Sequence, residues 1–591
     1  MLKGFKRQLI AALCLMAGIA GSQAAADPNK VLRISFEAPD SGFDMPRTNN
    51  SLYSSWVGDA IYESLLGYDY LARPVKLVPR LAASMPEVSA DGKELTFKIK
   101  KGAFFAPDPA FKNQKREATA QDVVYSLMRV VDPAHRSPQA SSYEGKIVGL
   151  DALIAAARKG QPFDYSAKIP GLEVIDSHTL KIRLLAPSYG FLYLLAHATA
   201  GVVAKEVVEA YGADIIRHPV GTGPYMLKEY VPRSKIVLEA NPNYTSFTWN
   251  FKSSDAKDAA LITEMTGKQM PQIGRIEISI VEEDQSRWLA FDSGQFDIDM
   301  LAKSMVQSVM DGDKLKAKHA HFQLDRFVAP EITQTIISMK DPVLGGYSKE
   351  KIALRRAISL GFNINDEIKQ LRFGQALRAQ SPIPPGMAGH DSSYKNSIAY
   401  NPQLANKLLD KFGYKKGADG FRTLPDGKPL VLQIHGSASG SIQATNELWK
   451  RSMDAIGLRT SFPISNFGDN LKAANECKLM MWGLGGSAGI PDGSDFLESY
   501  YGPNSLQGNL SCYQSAEFDK WYDAAKKLPD GPERTDLYNK MNRKLEAENP
   551  QVLHVWVVRN FIIRPHVRGF KKHPIMHANW MYLDLDMSKK K

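Results

Sequence analysis

Short strand-like and helix-like patterns alternate along most of this chain. Val31-Leu32-Arg33-Ile34-Ser35-Phe36 reads as a buried strand that runs into the loop residues Pro39, Asp40, Ser41 and Gly42. Leu95-Thr96-Phe97-Lys98-Ile99-Lys100 alternates strictly after the Asp91-Gly92 turn, which predicts a half-buried strand of a hairpin-like unit. Thr119-Ala120-Gln121-Asp122 has the form of a capping box, and Val123, Val124, Leu127 and Val131 follow at helical spacing. Asn401-Pro402 is an N-cap with proline at the first helical position, Leu404, Leu408, Leu409 and Phe412 make one face, and Gly413 is the stop. Residues 431–434, 458–462 and 478–484 are strand-like, and 447–456, 518–527 and 533–548 are helix-like. Strands alternating with helices of this length argue an α/β architecture with mainly open sheets.

Two apolar stretches stand outside this pattern. Residues 1–8 carry Lys3, Lys6 and Arg7 without an acid, 9–20 are almost unbroken apolar, and Ala24-Ala25-Ala26 offers small residues for cleavage. This predicts a secretory signal peptide over 1–26, too short to span a bilayer, and an exported chain that starts near Asp27. The stretch 191–204 is interrupted by His197, Thr199 and Gly201 and is likewise too short for a membrane helix.

At 591 residues and 44% hydrophobic content the chain exceeds one ordinary domain and excludes a disordered or small disulfide-scaffold class. No repeat or Gly/Ser linker divides it. The formal charge of +11 includes three charges of the predicted leader, and the remaining basic residues are dispersed among acids, which disfavours a nucleic-acid partner. Of three cysteines, Cys14 lies in the leader. Cys477 and Cys512, an even pair in an oxidising compartment, are most simply a disulfide, with a reactive thiol or metal site the less favoured readings.

Catalytic and metal signals are weak. Gly485-Gly486-Ser487-Ala488-Gly489 matches G-x-S-x-G, but a nucleophile elbow turns directly into a helix, and Ile490-Pro491-Asp492-Gly493 blocks one. A flexible glycine loop at the carboxyl end of a strand, where open α/β sheets bind ligands, is the preferred reading over a serine hydrolase using Ser487. His566, His573 and His577 lie close in sequence, with His319 and His321 as a second pair. They sit among loop residues with no H-E-x-x-H pattern, so a metal or haem site is the lesser alternative. No phosphate-binding G-x-x-x-x-G-K-[ST] loop is present.

Four ordered segments carry a family resemblance. They are Leu77-Val78-Pro79-Arg80-Leu81-Ala82 through Lys101-Gly102 with Ala118 to Ser126; Gly221-Thr222-Gly223-Pro224-Tyr225 with Asn241-Pro242-Asn243-Tyr244; Arg355 to Leu360 with Pro382-Ile383-Pro384; and Phe518-Asp519 with Glu533-Arg534. Together they resemble the family 5 bacterial extracellular solute-binding proteins, the binding components of peptide, nickel and related ABC importers. The resemblance implies a two-lobed periplasmic-binding-protein (type II, clamshell) α/β fold with an additional α+β domain. Lobe I would comprise 27–76, 186–323 and 552–591, the extra domain 77–185, and lobe II 324–551, with hinge strands near 324–329 and 553–558. It further implies a monomeric periplasmic protein without catalysis or resident cofactor. Such a protein closes on a peptide or peptide-like solute and presents it to permease subunits in the inner membrane. A non-peptide solute such as nickel, haem, an opine or a sugar conjugate is the alternative.

Within that fold the expected ligand wall is formed on one side by Phe43 and Arg47, in the loop after the first strand. The other side would be Met480, Trp482, Gly483, Gly485 and Gly486, with Trp482 as an apolar platform and the glycines exposing backbone groups. Arg378 is the expected partner of a ligand carboxylate. Peptide binders of the family place an Asp shortly after the Trp-bearing strand, to pair with the ligand's α-amino group. That position falls here within Gly485-Gly486-Ser487, so either Asp492 or Asp495 swings in or the ligand lacks a free amine.

Overall fold

The structure is a computed structural model that describes residues 26–48, 51–437 and 442–590. The predicted leader therefore lies outside the described residues, apart from Ala26. No helix among the described residues is long and apolar enough to cross a membrane.

Alternation explains the first strand, β1 (Asp27–Phe36), which buries Leu32, Ile34 and Phe36 on one face. It is central to a sheet of twelve strands among the described residues. Its neighbours are the parallel strands β2 (Ile273–Ile280) and β3 (Ile298–Met300). Two long antiparallel strands, β4 (Gln323–Ile337) and β7 (Gln551–Ile563), join this half of the sheet to a second half built on β5 (Val431–Ser437) and β6 (Met481–Ser487). The order across the junction is β5-β6-β4-β7-β3-β1-β2. β6 pairs with the carboxyl half of β4, from Glu331 to Ile337, whereas β3 pairs with the carboxyl end of β7, from Phe561 to Ile563. Each half has its own apolar core, with Leu238, Ile276 and Phe561 in the first and Leu354, Trp449 and Met481 in the second. The fold is thus a two-lobed α/β clamshell.

Between Val328 and Ile332 the register of β4 against β7 breaks. Pro330 lies in that break, and with no N–H it cannot contribute to a ladder. The discontinuity leaves the two connecting strands least tightly paired where they leave one lobe for the other.

A smaller antiparallel sheet orders Glu87–Val88, Glu94–Lys98, Thr179–Arg183 and Leu172–Asp176. The amino-terminal half of the chain also forms the helices α1 (Leu52–Ile61), capped by Ser51, and α2 (Ala120–Val131). The capping box of α2 is formed, with the Thr119 amide donating to Asp122 Oδ2 at 2.8 Å. The core of this α+β part continues into helices of the second lobe, α3 (Gly493–Leu497), α4 (Ala516–Ala525) and α5 (Pro532–Glu548), through Phe496, Phe518 and Tyr538.

Cys477 and Cys512 form a disulfide with their Cα atoms 6.0 Å apart. It ties the turn ahead of β6 to the segment ahead of α4. Replacing Cys477 by serine is expected to cost ~3–4 kcal/mol, from the loop of 35 residues that the bond closes. Urea unfolding checks this, because the reduced parent should then match the variant.

Candidate functional site

The break in β4 forms the floor of a cavity of ≈ 330 Å³ between the lobes. Glu37 from the end of β1, Trp56 and Asp59 from α1, and Arg80 line the first-lobe side. Ser487, Ala488 and Gly489, at the end of β6, line the other. Lys572 and His577 contribute from the carboxyl-terminal segment.

The charges in this cavity are closely matched. Glu331 and Arg559, on the two connecting strands, form a fork with two bonds of 2.8 and 2.9 Å. Arg80 Nη2 donates to the Asp59 carbonyl at 2.6 Å, and the Asp59 carboxylate accepts from the His577 amide at 3.2 Å. Burial raises the Asp59 carboxyl above the usual range, against the opposing pull of Arg80. Burial likewise lowers Lys572 to about 7, although Asp59 favours its charged form. Its Nζ donates to the carbonyls of His573 and Met576 at 2.9 and 2.6 Å and lies 5.6 Å from the Trp56 ring centre. The indole Nε1 of Trp56, at the cavity wall, is buried without a hydrogen-bond partner.

A second cavity of ≈ 380 Å³ lies beside β6, lined by Thr335, Arg372, His435, Gly483 and Gly485 of the second lobe and Lys303 of the first. At its edge Glu367 bonds His554 Nδ1 at 2.8 Å and Arg372 Nη2 at 3.0 Å. Burial would raise Glu367, but His554 and Arg372 carry it down to about 2. Lys303 and Arg372 therefore face this cavity with one carboxylate between them.

Strand β6 connects the two spaces. β5 pairs with it only at Met481 and Trp482, while β4 pairs along its whole length. From Gly483 to Ser487 the other edge has no strand partner among the described residues, so alternate N–H and C=O groups there point away from the sheet. The glycines leave that edge unobstructed by side chains.

The sequence-derived residues divide sharply. Gly483 and Gly485 line the second cavity, and Gly486 is exposed on the open edge. Phe43 needs correction as a wall residue, because it is fully buried with its ring packed on Tyr230. Met480 and Trp482 are also core, Trp482 at 1% exposure beside Ile336, Ala474 and Leu479. Arg47 sits on the short helix Met45–Thr48, 3.5 Å from Asp44, and lines neither cavity. Arg378 donates to the Ile398 carbonyl in a small pocket that also contains Glu546, away from the cleft. Sequence patterns miss Glu37, Trp56, Arg559 and Lys572. Of the cavity-lining arginines, Arg80 alone falls within a family-like motif.

Neither aspartate considered for the ligand's amine is free. Asp492 has no exposure, caps α3 and is gripped by Arg534 (2.6 and 2.9 Å) and the Tyr538 hydroxyl (2.7 Å). Asp495 accepts from the Gly489 amide at 2.8 Å, and burial, with Glu498 and Asp492 adding to it, raises its carboxyl to about 7. The histidines named for a metal alternative have local environments of their own. His573 is fully buried with Nδ1 accepting two backbone amides, burial lowers His577 to about 3, and His566 bonds Asp297 at 2.9 Å. No group of three or more potential metal ligands occurs among the described residues. Ser487 ends a strand rather than an elbow, and no histidine or carboxylate bonds its side chain among the described residues.

The chain has relatives among known proteins. The chain is 26% identical over 589 residues to di/tripeptide-binding protein 2 of Pseudomonas aeruginosa, covering 97% of this chain and 98% of that one. It is 26% identical over 585 residues to the periplasmic oligopeptide-binding protein OppA of Escherichia coli, covering 96% of each. Its fold is similar to that of the periplasmic murein tripeptide binding protein MppA in an unliganded open form. That match has a TM-score of 0.73 at 20% identity and covers 95% of this chain and 99% of the other. The family profile described as bacterial extracellular solute-binding proteins, family 5 (middle), matches residues 76–508, and the chain belongs to that family.

Proposed function

We propose that this protein is the periplasmic binding component of an ABC importer, which captures a peptide or peptide-like solute between its lobes and delivers it to membrane permease subunits without catalysis. The observation that carries this reading is the open edge of β6 between two inter-lobe cavities. An extended peptide adds to such an edge through main-chain hydrogen bonds, which bind tightly while tolerating varied side chains. Five residues of edge, Gly483 to Ser487, offer roughly 17 Å at ~3.3 Å per residue, room for roughly three to five ligand residues. The charges of Lys303 and Arg372 suit a carboxylate at one end of such a ligand.

The division into 27–76 with 186–323 and 552–591, 77–185, and 324–551 belongs to the same proposal. Its support is that β4 and β7 are the two strands shared by both halves of the sheet, β4 pairing with β6 of the second half and β7 with β3 of the first. Closure about the break at Pro330 would bring both walls onto the solute, and only a solute that touches both can shift that equilibrium.

A thermal-shift titration with a random tripeptide mixture tests the reading against an equimolar mixture of free amino acids. A ligand at 100 times its Kd is expected to add about 2.7 kcal/mol of stability. A melting point unmoved by peptides of two to five residues would sink it.

A further inference from the structure

The peptide reading leaves the ligand's amino terminus without an assigned partner. Three carboxylates line the first cavity, Glu37, Asp59 and Glu331. Glu331 is occupied by Arg559, and Asp59 is enclosed with Arg80 and Lys572 close by. Glu37 is different. Its side chain keeps 40% of its exposure, and it opens both on this cavity and on a smaller one behind it.

Glu37 also belongs to a cluster of carboxylates whose other members do not line the cavity, while Arg559, forked to Glu331, acts on it from the cavity wall. The cation paired with it is Arg287 at 3.5 Å, but that guanidinium also serves Asp284 at 2.7 Å and lies 3.7 Å from Asp299. Arg287 further donates to the Val281 carbonyl at 3.0 Å. The Tyr53 hydroxyl is a second hydrogen-bond partner of Glu37, and being neutral it leaves the charge in place. Asp299 is 3% exposed, and its Oδ1 has no hydrogen-bond partner. Three carboxylates thus share one guanidinium that has little donor capacity left. Only Glu37 among them reaches the cavity. In the second cavity, Lys303 and Arg372 face the single carboxylate of Glu367.

We infer that Glu37 is a specificity-determining residue that pairs with the positively charged amino terminus of the bound peptide. The ammonium brings a further cation to the carboxylate cluster and gains a charged hydrogen bond in a partly dehydrated space. Because Glu37 stands on the first lobe and the β6 edge on the second, the peptide's first residue then spans the cleft. This inference rests on the peptide reading above.

The test compares binding of a random tripeptide mixture with the same mixture after N-acetylation, by native mass spectrometry and titration calorimetry, on the parent and on Glu37→Gln. The parent is expected to prefer free amines at least about tenfold. In Glu37→Gln affinity for free-amine peptides should fall by a similar factor, affinity for acetylated peptides should hold, and Glu37→Asp should recover part of the preference. A parent that binds both mixtures equally overturns the inference without any variant, as does an unchanged ratio in a folded Glu37→Gln. If the parent binds neither mixture, the peptide reading itself falls and takes this inference with it.

Discussion

Asp492→Ala is expected to lower stability by ~3–5 kcal/mol, because it strands the Arg534 guanidinium in a site with no access to water. The same change removes the acceptor of the Tyr538 hydroxyl and the cap of α3, whose Ser494 amide donates to Asp492 at 2.8 Å. Urea unfolding followed by tryptophan fluorescence measures the loss. At temperatures where the variant stays folded, tripeptide affinity should remain close to that of the parent. A variant of full stability that no longer bound peptide would return Asp492 to the ligand site.

Trp482→Ala should cost a comparable ~3–5 kcal/mol, since a large side chain is removed from a packed cluster with Ile336 and Leu479 and from a tilted contact with the Phe467 ring. The measurement pairs a denaturation midpoint with a binding curve for the tripeptide mixture. Core burial predicts a large change in the first and little in the second. The reverse pattern would mean that the indole is a ligand platform after all.

These two residues show where sequence is informative and where it is not. The capping box of α2, the Asn401 cap and the alternation of β1 are legible because each depends on neighbours within one or two turns. The glycine run after Trp482 is legible as exposed backbone, but its composition predicts a loop, and it instead continues β6 to Ser487. Ladder pairing with β4, more than a hundred residues away in sequence, holds it extended, and no local pattern reports that. The direction of Trp482 is likewise set by register, since Met481 and Trp482, adjacent on β6, enter two different apolar clusters. Phe43 and Arg378 are misplaced by sequence for a related reason: their side chains answer to Tyr230 and Ile398, partners that periodicity cannot name. Glu37 draws no attention in sequence because a single acid after a strand is unremarkable until Arg287, Asp284 and Asp299 are seen around it.

The route of β7 has a consequence for how the molecule is made. The first half of the sheet runs through β3, and β3 is paired on its outer side by residues 561–563. A chain growing from its amino terminus must therefore hold β1, β2 and β3 with an unfinished margin until nearly everything else has emerged. The second lobe, contiguous in sequence between β4 and β7, can complete itself earlier. Assembly is thus expected to run from the middle of the chain outward, and the cleft comes into being only when β7 arrives.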